Sequence, residues 1–234
     1  MTSTLLACVA LPCALLAACV DQEQPATELR FDSTYCGRRV CDLSAPLATG
    51  STMVLNTTEK TFGDALVGAS IESSDPTIAR IGVIDTTSFI LRAEIVGVAD
   101  GDVELAVVSA AGEVLETMPL RVRTADRLGA GLSLATAGSI HDRTPAQGID
   151  HEADVSANTR VEIDTIPSAS GEVLLGVFTD YSVEVHSNAP ADEQPQPRAE
   201  DAKFGRFDVR VSAYDHDVTI HRANLTTTIR LHGR

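Results

Sequence analysis

Short stretches of alternating apolar and polar residues, rich in Val, Ile and Thr, follow one another along the chain from about residue 44. Alternation with a period of two places the apolar side chains on one face of a β-strand. In the first half of the chain, this pattern predicts strands at 51–56, 78–84, 88–96, 103–109 and 114–122. Turn signals separate these segments, and no full-length amphipathic helix is visible. The sequence therefore predicts an all-β fold.

The second half of the chain shows the same kind of pattern. It predicts strands at 131–135, 159–163, 172–179, 181–186, 204–213, 218–221 and 225–231. Phe207, Val209 and Val211, for example, share one strand face. Two segments lack strand formers: 138–158 is long and polar, and 189–203 is acidic and proline-rich, which predicts a solvated loop. We predict a second β-sandwich-like domain over residues 125–234.

An uncharged apolar run at residues 5–18 precedes the β pattern and ends in Leu16-Ala17-Ala18-Cys19. It is shorter than the roughly 20 apolar residues that cross a bilayer as a helix. The segment resembles a bacterial lipoprotein signal peptide with its lipobox. The resemblance implies cleavage after residue 18, with Cys19 carrying a diacylglyceryl group and three acyl chains, such as palmitate, in all. An ordinary signal peptide cut near Ala18 and a buried N-terminal helix are the alternatives.

A lipid on Cys19 would tie an exported protein to the cell envelope. Val20 follows the cysteine, where an aspartate would resemble an inner-membrane retention signal, so the expected location is the outer membrane. Residues 19–43 are predicted to be a polar tether. Within it Cys36 and Cys41 frame a short loop, and in an exported protein this spacing favours a local disulfide. A metal or redox role for this pair is the alternative.

Residues 44–124 resemble a bacterial immunoglobulin-like domain of group 2 (BIG2). The resemblance is carried by Ser73-Ser74-Asp75-Pro76-Thr77-Ile78-Ala79 and by the Gly97-Val98-Ala99-Asp100-Gly101 turn that follows. It implies an Ig-like β-sandwich that acts as a spacer or adhesive module. Physically, Asp75-Pro76 presets a turn, Gly97 and Gly101 allow tight or left-handed backbone, and Ile78, Ile81, Val96 and Val98 can face a core.

The formal net charge is −15, and none of it lies in residues 1–18. Nucleic acid is excluded as a partner, because phosphate binding needs a basic surface. The same charge argues against electrostatic docking on anionic lipid. The chain has no Trp, three Tyr and six Phe, so few side chains could stack on sugars.

Acidic and histidine residues concentrate in two places: His141-Asp142 with Asp150-His151-Glu152-Ala153-Asp154, and Tyr214-Asp215-His216-Asp217 with His221. Carboxylates and imidazoles of this kind could be ligands for Ca²⁺ or Zn²⁺, and Asp100 and Asp102 have the character of calcium ligands as well. The histidines could also serve a hydrolase. No EF-hand, HExxH or GxSxG motif organises them. We therefore assign no catalytic residue, metal ligand or cofactor.

The sequence as a whole predicts a lipid-anchored, non-enzymatic envelope protein with a binding, adhesion or structural display role. Its expected contacts are the membrane, through Cys19, and an envelope or extracellular protein or a glycan. A calcium-binding β-sandwich module is the first alternative, and a hydrolase that uses the second domain is the other.

Overall fold

The computed structural model describes residues 29–35, 42–59, 66–87, 90–134, 139–195, 197 and 205–234. All regular elements within these ranges are strands. They form two β-sandwiches that follow each other along the chain, so the predicted all-β fold is confirmed. No helix in the described ranges is long and apolar enough to cross a membrane.

The first sandwich consists of two four-stranded sheets, ordered β1-β3-β6-β5 and β2-β8-β7-β4. Its strands are β1 (Leu29–Tyr35), β2 (Leu47–Ala48), β3 (Thr52–Glu59), β4 (Ser70–Ser73), β5 (Ala79–Thr87), β6 (Ile90–Gly97), β7 (Gly101–Val108) and β8 (Val114–Arg123). Neighbours pair antiparallel except β2 and β8, which run parallel. Alternation explains the core: on β6 the side chains of Leu91, Ala93 and Ile95 are buried between the sheets.

The turn that leads into β5 depends on Asp75. One of its carboxylate oxygens accepts hydrogen bonds from the Thr77 backbone N–H at 2.9 Å and from the Thr77 hydroxyl at 2.6 Å. These bonds, the hydroxyl's first, hold the pKa of Asp75 below its usual value. The Ile78 and Ala79 backbone N–H groups also donate to the Asp75 carbonyl at 3.1 Å. The predicted turn is therefore present, and its side chains serve folding.

Two details of the predicted motif differ in the structure. Val98 does not face the core, since 43% of it is exposed, and Val96 is only half-buried because Leu91, Ala93 and Ile95 occupy the inner face of β6. Both glycines of the motif are needed because neighbouring atoms leave no room for a Cβ at either position. A Cβ on Gly97 would lie 2.6 Å from the Ala48 carbonyl oxygen, and one on Gly101 would lie 2.5 Å from Ile78 Cδ1.

The predicted tether extends too far along the chain. Leu29–Tyr35, assigned to it from the sequence, is strand β1, and it pairs antiparallel with β3. Leu29 is buried, Phe31 packs against the first core, and the Asn56 amide donates to the Asp32 carboxylate at 2.7 Å. Leu29–Tyr35 therefore belongs to the first sandwich.

The second sandwich has a five-stranded sheet, ordered β10-β11-β17-β16-β14, which faces a sheet centred on β12. Strand β12 pairs with β9 on one side and with β15 and β13 on the other. The strands are β9 (Arg127–Leu134), β10 (Ile140–Arg143), β11 (His151–Val155), β12 (Arg160–Ala169), β13 (Glu172–Val173), β14 (Tyr181–Ser187), β15 (Arg206–Arg210), β16 (Asp215–Arg222) and β17 (Leu225–Gly233). Phe207, Val209 and Val211 are all buried, as their alternation predicted.

The polar segment 138–158 contains two strands that the sequence did not predict. β10 pairs antiparallel with β11, and β11 pairs parallel with β17. In the proline-rich segment the outcome agrees with the prediction as far as the described residues reach, since no strand forms at 189–195 and residues 190–194 are exposed.

Candidate functional site

The five-stranded sheet of the second sandwich carries the histidines of the chain and many of the acidic residues around them. All six histidines lie on its strands. They are His141 on β10, His151 on β11, His186 on β14, His216 and His221 on β16, and His232 on β17. The sheet therefore unites the two acidic and histidine clusters that the sequence separates by about 60 residues.

His232 connects the two clusters, and sequence reasoning missed it. Its Nδ1 lies 2.8 Å from an Asp215 carboxylate oxygen, and its Nε2 lies 2.5 Å from one of Glu152. Asp215 belongs to one predicted cluster and Glu152 to the other. The connection exists because β17 lies between β11 and β16 in the sheet. The sequence could have indicated this role of His232. The alternation of β17 places Thr228, Arg230 and His232 together on the face opposite to the core.

Arginines pair with two further carboxylates of this sheet, those of Asp217 and Asp154. Arg230 donates two hydrogen bonds to the Asp217 carboxylate, at 2.6 and 2.7 Å, and this pairing is the main reason why the pKa of Asp217 lies below its usual value. Arg143 and Arg234 lie 3.0 and 2.8 Å from the two carboxylate oxygens of Asp154. The outer surface of the sheet, which we call the charged face, is thus a network of alternating opposite charges.

A shallow groove opens on this charged face, with a volume of about 370 Å³. It is lined by His186, Ser187, Asn188, Asp215, Asp217 and Arg230. The lining contains both charges and several hydrogen-bonding groups but no large apolar side chain. Such a groove fits a polar ligand or a polar protein surface better than an apolar ligand.

The acidic residues considered for calcium have partners within the protein. The Asp100 carboxylate accepts hydrogen bonds from the Thr124 hydroxyl at 2.6 Å and the Thr49 hydroxyl at 3.0 Å, and these bonds, Thr124's first, lower its pKa. Asp102 contacts Arg123 at 2.6 Å. Asp150 accepts the Thr228 backbone N–H at 3.0 Å, and Asp154 lies against the arginines described above. Within the described ranges, no group of three or more His, Cys, Asp and Glu side chains is placed to hold a metal ion.

Among the acidic and histidine residues of the clusters, only His216 is completely buried, and it lies on the same face of β16 as the core residues Val218 and Ile220. Its Nε2 accepts the Ser212 backbone N–H at 3.1 Å, so the ring proton must lie on Nδ1, which donates to the Ser187 hydroxyl at 2.7 Å. Burial is the main cause that lowers the pKa of His216. A ring sealed from solvent on both sides serves packing and leaves no access for a substrate.

A junction holds the two sandwiches together, and we define it as residues 174–178 with their partners in the first sandwich. The backbone N–H of Leu175 donates to the Pro46 carbonyl at 2.7 Å, and Ala48 donates back to the Leu175 carbonyl at 2.9 Å. Thr52 and Val177 exchange two further backbone hydrogen bonds, at 2.8 and 3.0 Å. Residues 172–179 were predicted as one strand, but Leu175 and Val177 pair with the first sandwich. Glu172–Val173 pairs within the second sandwich, where the Leu174 backbone N–H also donates to the Pro167 carbonyl at 2.9 Å.

Side chains seal this junction. Leu175 is buried in the core of the first sandwich, whereas Leu174 and Phe178 form a separate buried cluster with Ala48 and Ala125. The guanidinium of Arg222 lies 3.2 Å from the centre of the Phe178 ring, a cation–π contact. Its Nη2 also donates to the Thr49 carbonyl at 3.4 Å.

An ion pair at the edge of the junction adds a second connection between the sandwiches. Arg121 on β8 makes two hydrogen bonds to the Glu172 carboxylate, at 2.6 and 3.0 Å. It also donates to the Ser44 carbonyl at 2.6 Å. The chain itself passes between the sandwiches through only three residues, 124–126, so the junction lies directly beside this linker.

The predicted lipid-bearing Cys19 and the predicted disulfide partners Cys36 and Cys41 lie outside the described ranges. So do the predicted signal peptide at 1–18 and the whole polar segment between it and β1. These assignments stay predictions from the sequence.

Comparison with known proteins finds similarity only among solved structures. No family model matches the sequence, and no curated protein does. Domains 5–6 of the S-layer protein SbsC match at 10% identity and a TM-score of 0.38, covering 88% of this chain and 97% of that one. The adhesin InvE of Yersinia pseudotuberculosis matches at 13% and 0.30, covering 80% of this chain and 56% of that one.

A glycan-binding protein is also among the similar structures. SGBP-B of Bacteroides ovatus, solved with a mixed-linkage heptasaccharide, matches at 14% identity and a TM-score of 0.35 over 82% of this chain and 45% of that one. At these identities and TM-scores, none of the matches carries an argument about what this protein does. The class of the protein, two consecutive β-sandwiches, rests on its own strands and sheets.

Proposed function

We propose that this protein is an exported, lipid-anchored envelope protein with a non-enzymatic structural and display role. The observation that carries the proposal is the junction, in which segment 174–178 completes hydrogen bonds and apolar packing of the preceding sandwich. Domains that only need to fold beside each other are usually joined by a flexible linker and a modest polar interface. Here backbone pairing and a sealed apolar cluster support a single stiff unit.

A stiff unit of two sandwiches suits a spacer that holds a binding surface at a fixed distance and orientation from its anchor. The charged face of the second sandwich is the surface that we propose for display. Its paired charges and polar groove favour an envelope or extracellular protein, or a glycan, as the partner. The acidic balance of the chain argues against nucleic acid.

The anchor in this proposal is the lipid on Cys19, with the protein in the outer membrane and the first sandwich of BIG2 type. The sequence Leu16-Ala17-Ala18-Cys19 supports the anchor, and the turn at 73–79 supports the BIG2 assignment. The carboxylates considered for calcium have partners within the protein, and His216 is completely buried. We therefore favour the structural role over an enzyme or a calcium module.

The anchor is tested by substitution of Cys19 with alanine in the full chain. We expect Cys19→Ala to move the protein from the membrane fraction to the soluble fraction, because the residue that carries the lipid is gone. Fractionation followed by immunoblotting measures this, and intact-mass measurement of the mature protein reports the acyl chains.

Cys13→Ala is the matched control, since it removes a cysteine from the predicted signal peptide and leaves Cys19 in place. This variant should stay in the membrane fraction. If Cys19→Ala also remains there, with an unchanged mature mass, the lipid anchor is wrong.

A further inference from the structure

We propose that one end of the first sandwich rests on the membrane surface through the exposed valines Val67 and Val114. This inference rests on the proposed lipid anchor at Cys19. It adds to that proposal an orientation of the protein and a second, apolar contact with the lipid.

The end in question, which we call the entry pole, is where the described chain enters the first sandwich. Leu29 at the start of β1 pairs with Glu59 at the end of β3. The Leu66 backbone N–H donates to a Glu59 carboxylate oxygen at 2.9 Å, which places the turn at residues 66–69 there as well.

The hairpin between β7 and β8 reaches the same pole. A Cβ built on Gly68 would lie 3.2 Å from Ala110 Cβ, so the 66–69 turn and the hairpin touch. Val108 and Val114 form the last pair of this hairpin, and Ser109 donates to the Glu113 carbonyl at 2.8 Å to close it.

The second sandwich lies at the other end of the first. Thr52, at the start of β3, makes the backbone hydrogen bonds to Val177 at the junction. The eight residues of β3 therefore separate the junction from the entry pole, a distance of roughly 23 Å at 3.3 Å per residue. A membrane at the entry pole would leave the second sandwich on the side of the first that is away from the lipid.

The length of chain before β1 limits how far the entry pole can be from the lipid. Ten residue steps separate Cys19 from Leu29. Whatever conformation they adopt, they span at most about 36 Å. The tether between Cys19 and the first sandwich is therefore shorter than predicted. The sequence predicted a tether up to residue 43, whereas residues 29–35 form strand β1.

The entry pole also exposes apolar side chains. Val67 is 57% exposed and Val114 is 62% exposed, and Ala110 and Ala111 beside them are exposed too. Isolated contacts of this size bind a bilayer weakly. A chain already held by lipid has a high local concentration at the surface, so a weak apolar contact is enough to orient it.

The chain contains no tryptophan, so a single Trp substitution gives a unique fluorophore. We would purify lipidated full-length protein with Val67→Trp or Val114→Trp and reconstitute it into phosphatidylcholine vesicles with and without brominated acyl chains. Val98→Trp is the matched control, because Val98 is also an exposed valine of the first sandwich, 43% exposed. It lies at the junction end, where its neighbour Gly97 donates to the Ser51 carbonyl at 3.0 Å.

We expect brominated lipid to reduce the fluorescence of the Val67→Trp and Val114→Trp proteins at least twofold and to leave that of the Val98→Trp protein unchanged. Equal quenching at all three positions, or none at any of them in protein that floats with the vesicles, would overturn the orientation while the anchor stands. Absence of quenching combined with a doubled molar mass would assign the valines to a second copy of the chain. Protein that does not float at all would overturn the anchor and this inference together.

Discussion

Two buried ionisable residues of this protein are paired with complementary groups. His216 is the clearest case, since a completely buried imidazole is held between two serine hydroxyls and a backbone N–H. Asp208 is nearly buried and forms an ion pair with Arg160. Each pairing avoids the cost of a buried polar group without a partner, about 1–3 kcal/mol. The placement of these residues therefore follows from the fold.

The protonation of His216 leads to a prediction at this scale. Its folded-state pKa is lowered by burial, so its contribution to stability is present above the unfolded pKa of about 6.5 and is lost as the pH falls. We expect the free energy of unfolding to decrease between pH 7 and 5.5. The pKa values of Asp75, Asp100 and Asp217 are lowered from a usual value of 3.8, so their contributions remain in this range.

Denaturant unfolding at several pH values measures this effect. His216→Gln should flatten the pH dependence, while lowering stability by about 1–3 kcal/mol at pH 7 through the lost hydrogen bonds. His221→Gln, on the same strand but with an exposed ring, is the control and should retain the wild-type slope. An unchanged slope in His216→Gln would contradict the assignment.

At the scale of elements, strong alternation was enough to predict strands, and weak alternation was not. β3, β6, β7, β8, β16 and β17 were all predicted from it. β11 has only Ala153 and Val155 as apolar residues and forms because β17 supplies a parallel partner about 75 residues away. Local sequence cannot report such a partner. β1 does alternate, with Leu29 and Phe31 against Arg30 and Asp32, but it follows a long polar stretch that suggested a tether.

The charged face was predictable in its residues and not in its arrangement. The sequence indicated both acidic and histidine clusters, yet their union depends on β17 lying between β11 and β16. The junction was harder still. The sequence predicted a single strand at 172–179. Nothing in the local sequence shows that Leu175 and Val177 form backbone hydrogen bonds with residues more than 120 positions earlier.

Gly176 gives a prediction about this junction element. Its φ of +113° suits glycine, and a Cβ there would overlap the Ser51 hydroxyl, which packs between the Ala48 and Leu175 carbonyls. Gly176→Ala should therefore open the junction and lower stability by a few kcal/mol, about the sum of left-handed strain and a steric overlap. Thermal unfolding should then split into two transitions.

Gly171→Ala separates strain from the overlap. Gly171 also has a positive φ, +84°, but a Cβ there meets nothing within 4 Å. This variant should lose about 1 kcal/mol and keep a single transition. If the two variants behave alike, close packing at Gly176 does not hold the junction.

At the scale of the whole molecule, the account describes a stiff unit of two sandwiches on a short lipid tether. The junction joins the sandwiches through backbone bonds, an apolar cluster and the Arg121–Glu172 pair. The entry pole lies at the end of the first sandwich opposite to the junction with the second. The net charge of −15 keeps such a unit soluble and discourages contact with anionic surfaces, so the apolar pole is left as the contact with lipid.

The most direct test of the central claim is ¹⁵N relaxation on residues 20–234, produced without signal peptide or lipid. If the junction makes one stiff unit, backbone amides of both sandwiches will report the same rotational diffusion tensor, with the correlation time of a particle of the full mass. Two separate tensors, each with the shorter correlation time of a single sandwich, would show that the sandwiches move independently and would contradict the account.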